Sequence, residues 1–238
     1  MENLQHVHLL FEQSGTFKDA FAKFNIPATD YDIADDYERT DVRINLFTEI
    51  VAAYAGDPSV FDYIAPGDLA IAFFPCIYFA EYNVNLFAGT AHNFRTMERA
   101  ACIEYILRRA DYRNMYYKVL IKLCAVFERR GLRLIVENPF GVNHYLWNNF
   151  PYKPAVVDYN RRVRGDYYRK PTQYFFINCE PCTGITYQRP KNVRRIDEVQ
   201  CDHHGTKERS EIAPEYARNF IRDFILGKPT INTQLSIL

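Results

Sequence analysis

The sequence predicts an α/β fold built on a parallel sheet, and three observations carry that expectation. Short apolar runs such as HVHLLF, DLAIAFF and LRLIV have the length of strands covered on both faces. Segments of helical period separate them, as parallel crossovers require. Each run stops in polar or reactive residues, at the sheet edge where open α/β folds bind ligands.

The elements follow in order. A strand is expected over 6–11, a turn at Ser14-Gly15, and a helix carrying Phe17, Ala20, Phe21 and Phe24 that Asn25-Ile26-Pro27 stops. ATDYDI, 28–33, reads as the second strand, 46–55 as a helix broken by Asp57-Pro58, and 68–74 as the third strand. The stretch 91–130 reads as two helices with a break near 111–114. Its core-facing stripe takes Ile103, Ile106, Leu107, Val119, Leu120, Leu123, Val126 and Phe127. Gly131 ends it, and 132–136 forms the fourth strand, entering Glu137-Asn138-Pro139. Short strands at 155–159 and 173–177, a basic loop-rich segment at 180–209 and a helix at 214–226 complete the pattern. No internal repeat or low-complexity tract occurs.

The 238 residues suffice for one large domain with a small appendage. No apolar run is long enough for a membrane-spanning helix, and MENLQHVHLLFEQSG lacks the basic and small-residue pattern of a signal peptide. Six dispersed cysteines fit a reducing compartment, so a cytoplasmic location is expected. Formal net charge is zero, yet residues 1–100 carry 6 Lys/Arg against 15 Asp/Glu, which leaves the remainder strongly basic. An acidic front and a basic back suit a protein whose C-terminal part meets a polyanion.

Four strand ends carry candidate chemistry: Phe11-Glu12-Gln13-Ser14-Gly15, the acids Asp30 and Asp32, Pro75-Cys76, and Glu137-Asn138-Pro139. A small turn after the first strand with an acid after the second suits an adenosine-type cofactor, the acid taking ribose hydroxyls. Read singly, Cys76 is better taken as a small buried residue at a strand end.

Together and in this order, these segments resemble the cytosine carbon-5 DNA methyltransferases, and more closely their compact phage-type members. Phe11 and Gly15 match the family's first loop, with Gln13 where that loop has a glycine. Asp32 matches the acid after strand two, with Asp30 as a rival, and Thr40-Asp41-Val42 resembles the Gly-Asp-hydrophobic element. Pro75-Cys76 matches the nucleophile loop and Glu137-Asn138-Pro139 the Glu-Asn-Val motif. VDYNRRVRGDYYRKPTQYFFIN, 157–178, and RSEIAPEYARNF, 209–220, resemble the phage-type group's C-terminal blocks.

The resemblance implies a Rossmann-like S-adenosylmethionine-dependent methyltransferase fold with a small basic C-terminal lobe. It implies a core over 1–177, a loop-rich lobe over 178–212, and a closing helix and tail over 213–238 that return to the core. The activity it implies is methyl transfer from S-adenosylmethionine to cytosine in DNA through a cysteine–pyrimidine adduct. Cys76 is then the nucleophile and Glu137 the group at ring nitrogen 3. Phe11, Ser14, Gly15, Asp32, Asp41 and Pro75 hold the cofactor. Arg161, Arg162 and Arg164 of NRRVR are candidates to contact base or phosphate, with Arg162 and Arg164 carried into the site, or else they form a solvated basic turn.

Arg169, Lys170, Arg189, Lys191, Arg194 and Arg195, interleaved with aromatics, form the expected nucleic-acid surface. Cys179, Cys182, Cys201 and His203 have donor types suited to a structural zinc; buried cysteines beside exposed histidines are the alternative. Two other functions stay open: an inactive protein of this fold that binds nucleic acid, and a methyltransferase for another pyrimidine or for RNA.

Overall fold

The computed structural model describes residues 4–184 and 211–227. Its centre is a seven-stranded mixed sheet in the order β3-β2-β1-β4-β5-β7-β6. The strands are β1 (Val7–Leu10), β2 (Ala28–Asp32), β3 (Val42–Arg43), β4 (Leu69–Ala72), β5 (Arg133–Pro139), β6 (Val156–Asp158) and β7 (Thr172–Ile177). The first five in sequence run parallel. β7 lies antiparallel between β5 and β6.

Side-chain alternation explains the unbroken apolar runs. Val7 and Leu9 of β1, Leu69 and Ile71 of β4, and Ile135 of β5 enter one core with Phe17, Phe21, Tyr216 and Phe220. Leu10, Ala70, Ala72, Leu134 and Val136 enter the opposite core with Ile50, Leu120, Leu123 and Phe127. A strand buried on both faces has no polar side to show. Helices α1 (Thr16–Ala22) and α6 (Pro214–Phe220) cover the first face; α2 (Leu46–Ala55) and α4 (Arg99–Arg130) cover the second. Asn45 caps α2 by accepting from the Phe47 amide at 3.0 Å, and Gly56 closes it at φ 90°, a conformation glycine adopts without strain.

Several expectations are corrected. α4 is one continuous helix of 32 residues, not two. Asp111 and Asn114 are exposed in it, and weak helix formers lower stability by only a few tenths of a kcal/mol each without interrupting the hydrogen-bond ladder. The helix starts at Arg99; before it lies a 3-10 turn, His92–Thr96. Its buried residues begin only at Val119, and Ile103 and Leu107 are exposed at 51% and 55%. The first half of α4 therefore runs beyond the sheet, resting on a small cluster of Leu86, Ala91 and Phe94. Strand β3, α3 (Asn83–Phe87) and α5 (Tyr145–Asn149) are additional elements, too short to show a period.

After α6 the chain continues as a π-helical turn, Ile221–Leu226, whose Ile221 and Ile225 join the α1-side core. The closing helix thus returns to the sheet. Most of the expected basic lobe, 185–210, lies outside the described residues. No helix among the described residues is long and apolar enough to cross a membrane.

Candidate active site

The site forms where the parallel strands end. Beyond β1, Phe11 takes φ 60°, a left-handed turn that costs a non-glycine residue about 1 kcal/mol, and its amide donates to the Tyr31 carbonyl at 2.8 Å. Glu12 then folds back over its own loop. Its carboxylate accepts from the Ser14 amide at 3.1 Å, the Gly15 amide at 3.0 Å and the Ser14 hydroxyl. The amide cradle that a glycine-rich loop offers to phosphate is therefore filled by the chain's own acid. Burial raises the Glu12 pKa above the usual carboxylate range, opposed by the Ser14 hydroxyl.

Beyond β4, the Cys76 carbonyl accepts from the Phe79 amide at 2.8 Å and the Ala80 amide at 3.0 Å, which turns the chain sharply after the cysteine. Two side chains brace this turn. Buried Asn83 donates to the carbonyls of Ile77 at 3.0 Å and Ala80 at 2.9 Å. Arg109 of α4 donates to the Ile77 carbonyl at 2.8 Å and to Asn83 Oδ1 at 2.9 Å, and lies 4.6 Å from the centre of the Tyr78 ring. On β5, Asn138 donates to the Phe74 carbonyl at 2.9 Å, which ties the strand bearing Glu137 to the one leading into Cys76.

A cavity of about 510 Å³ opens at this edge, lined by Glu12, Gln13 and Ser14 of the first loop, Pro75 and Cys76, Glu137, and Lys170. A second cavity of about 290 Å³ is lined by Asp32, Leu46, Phe47 and Tyr116. Phe11, Phe73 and Pro75 line both, so the two spaces adjoin.

The charges in the larger cavity are coupled. Burial pushes the Cys76 thiol up, Glu137 pushes it further, and Lys170 pulls it back. Glu137, 9% exposed, is raised by burial, against Lys170 and then Arg161. Lys170 is lowered by burial and by Arg161, against Glu137 and Cys76. Behind Glu137, Arg161 is fully buried, pairs with Asp166 at 2.5 Å, and lies 4.3 Å from the centre of the Tyr216 ring. Asp36 and Glu211 also line the cavity, so its lining is predominantly acidic. It suits a cationic ligand better than a phosphate.

Cys76, Glu137, Phe11, Ser14 and Pro75 meet at the larger cavity, and Asp32 at the adjoining one. The rival acid Asp30 is committed elsewhere: it is buried and pairs with Lys18 at 2.9 Å. Gly15 sits behind the loop at φ 71°, where a Cβ would meet the Arg39 guanidinium at 2.8 Å. Asp41 does not reach either cavity lining; it accepts from the Asp30 amide at 3.1 Å and pairs with Lys18 at 2.9 Å, a clip between β2 and the loop before β3.

Arg162 and Arg164 line neither cavity. Arg164 bridges Asp158 at 3.0 Å and Asp223, which locks β6 to the π-helical turn after α6. Of the NRRVR arginines, Arg161 is the one facing Glu137, because the 3-10 turn Arg161–Arg164 sends it inward. Lys170, expected on the nucleic-acid surface, is a cavity wall instead, while Arg169 is exposed. Glu12, in a candidate strand end but given no role there, and Lys170, expected to meet nucleic acid, both line the cavity.

Arg189, Lys191, Arg194, Arg195, Cys201 and His203 lie outside the described residues. The thiols of Cys179 and Cys182 face main-chain carbonyls, of Leu134 at 3.8 Å and Ile225 at 3.3 Å, and burial pushes the Cys179 thiol up to about 11. The described residues hold no cluster of three or more metal-type side chains.

Comparison with protein-family profiles finds no match, and comparison with curated proteins finds none at a significant level.

Proposed function

We propose that this chain is an S-adenosylmethionine-dependent methyltransferase. Within that class, we read it as a cytosine carbon-5 methyltransferase acting on DNA. The observation that supports this most is the meeting of Cys76 and Glu137 in one cavity that adjoins the Asp32 pocket.

The residues present fit the cofactor. Its amino acid end carries an ammonium and a sulfonium beside its carboxylate, and the two cations suit walls that hold Glu12, Asp36 and Glu211. Its ribose hydroxyls suit the Asp32 carboxylate, and its adenine suits apolar walls such as Leu46 and Phe47. When bound, S-adenosylmethionine supplies an electrophilic methyl group.

The chain's own residues then act on the pyrimidine. Cys76 sulfur adds to ring carbon 6, the carbon 5–carbon 6 π pair shifts, and carbon 5 becomes nucleophilic. Glu137 holds the proton at nitrogen 3 that neutralises the charge building on the ring; its raised pKa suits that donor role. Lys170 offsets the cost of forming a thiolate beside a carboxyl group. After transfer, water takes the carbon 5 proton, that bond's electron pair re-forms the carbon 5–carbon 6 double bond as the Cys76 thiolate leaves, and the nitrogen 3 proton returns to Glu137. The target base has to leave the duplex stack to reach this depth.

The test is methyl transfer from labelled S-adenosylmethionine to duplex DNA, followed by nucleoside analysis. Label in 5-methylcytosine, lost in Cys76→Ser, supports the proposal. No label in DNA from a protein that binds S-adenosylmethionine, or label on another base, rejects it.

A further inference from the structure

A separate cavity of about 260 Å³ is lined by Phe79 and Ala80 of the turn that follows Cys76, Phe87 of α3, Arg113 of α4, and Tyr145 and Asn149 of α5. Arg113 is its distinctive group. Its guanidinium carbon lies 4.1 Å from the centre of the Phe87 ring and 4.7 Å from that of Tyr145. Its Nε is buried and has no hydrogen-bond partner, and no described residue gives Arg113 an ion pair or a hydrogen bond.

Arg162 also has a buried Nε without a hydrogen-bond partner, but it lines none of these cavities; several other arginines are committed to partners. Arg109, one turn earlier on α4, is spent on the Ile77 carbonyl and Asn83. Arg161 and Arg164 are spent on Asp166, Asp158 and Asp223. Arg39 and Arg130 pair with Asp19 and Asp62.

A guanidinium keeps its donors in one plane, and stacking on rings fixes that plane without using them. Its complement is a planar or tetrahedral oxyanion that accepts two N–H groups at once. The cavity falls below the range of about 300–1,000 Å³ usual for a whole drug-sized ligand, so it suits a small anionic group. Phe79 and Ala80 line it, and their amides both bond to the Cys76 carbonyl, so an anion seated there lies beside the nucleophile loop.

We propose that Arg113, held by Phe87 and Tyr145, binds a phosphodiester of the DNA strand that presents the target base. The identity of that strand rests on the proposed function; the phosphate site itself does not. Each phosphate neutralised by a cation releases counterions, so losing one contact flattens the salt dependence of binding in a countable way.

The experiment measures affinity for a fluorescent DNA duplex from about 50 to 200 mM salt, with wild type, Arg113→Gln, Arg113→Met and Arg113→Lys. Arg113→Met keeps most of the apolar stem, which covers the case in which Arg113→Gln does not fold. The neutral variants are expected to bind about tenfold more weakly at low salt. The slope of log affinity against log salt should fall by about one. Arg113→Lys should keep the slope and lose part of the affinity, since it retains charge without the fork.

Wild-type affinity and slope in a folded neutral variant would overturn the proposal. So would inorganic phosphate binding tightly to the wild type alone while duplex affinity is unmoved by substitution, which would assign the cavity to a free anion. A slope change in a protein that makes no 5-methylcytosine would uphold the phosphate site and reject the catalytic reading.

Discussion

Asn138 Nδ2 donates to the Phe74 carbonyl at 2.9 Å, across the ends of β5 and β4. The bond continues the parallel ladder past its last paired residues, Ala72 and Val136, and it is fully buried. It sets the separation of Glu137 and Cys76, each next door in sequence or nearly so. Asn138→Ala leaves a buried carbonyl without its donor and should cost about 1–3 kcal/mol in urea unfolding. It should also change the alkylation rate of Cys76, which a purely global loss of stability would not do in a folded sample.

The titration of Cys76 reports the charges around it. Glu137 raises the thiol and Lys170 lowers it, and burial raises it most. The rate of Cys76 alkylation by iodoacetamide, followed by peptide mass analysis, should therefore show a midpoint above that of an ordinary thiol. Glu137→Gln removes a negative neighbour and should shift the profile to lower pH. Lys170→Gln removes a positive one and should shift it to higher pH. Shifts in the opposite senses would show that the three groups are not coupled as described.

His144 makes folding sensitive to acid. It is 1% exposed, and its Nδ1 accepts from the Leu146 amide at 3.3 Å and from Gln173 at 3.2 Å, which fixes the neutral form with the proton on Nε2. Burial lowers its pKa to about 4. A folded pKa below the unfolded one means the contribution is present above about pH 6.5 and is lost as pH falls toward 4. Its share of that loss amounts to about 2 kcal/mol by pH 5. His144→Gln should flatten the stability profile between these limits, measured by urea unfolding at each pH.

The Arg161–Asp166 pair is wholly buried, and breaking one side leaves the other charge without a partner. Asp166→Asn should cost about 3–5 kcal/mol. Arg161 also draws the Glu137 carboxyl down, so Arg161→Met should raise the Glu137 pKa further, read by NMR titration or by a shifted pH–rate profile.

The parts of the fold legible in the sequence are those where burial leaves a periodic trace. β1, β4 and β5 were readable because their side chains alternate between two apolar cores, and the residues ending them follow from strand geometry. Helix α2 matched its expected bounds, read from the Asp57-Pro58 breaker, and the structure adds Asn45 and Gly56 as its caps. The site residues reached through tertiary approach were not readable. Lys170 comes to the cavity from the turn before β7, and the choice of Arg161 over Arg162 and Arg164 depends on the inward face of a four-residue 3-10 turn. Asp111 and Asn114 resemble helix breakers, yet backbone bonding and packing farther along α4 carry the helix through them. The lobe around Leu86 and Phe94 has only a three-residue buried centre, too little for a pattern.

The most direct measurement is covalent capture. Duplex DNA carrying 5-fluorocytosine is incubated with the protein and S-adenosylmethionine, denatured, and the cross-linked peptide is identified by mass spectrometry. Fluorine cannot leave as a cation, so a carbon 5-methylated adduct cannot release its thiolate. The account predicts a denaturant-stable complex joined through Cys76, dependent on the methyl donor and absent in Cys76→Ser. No adduct from folded protein that binds both DNA and S-adenosylmethionine, or one joined through a different residue, would contradict it.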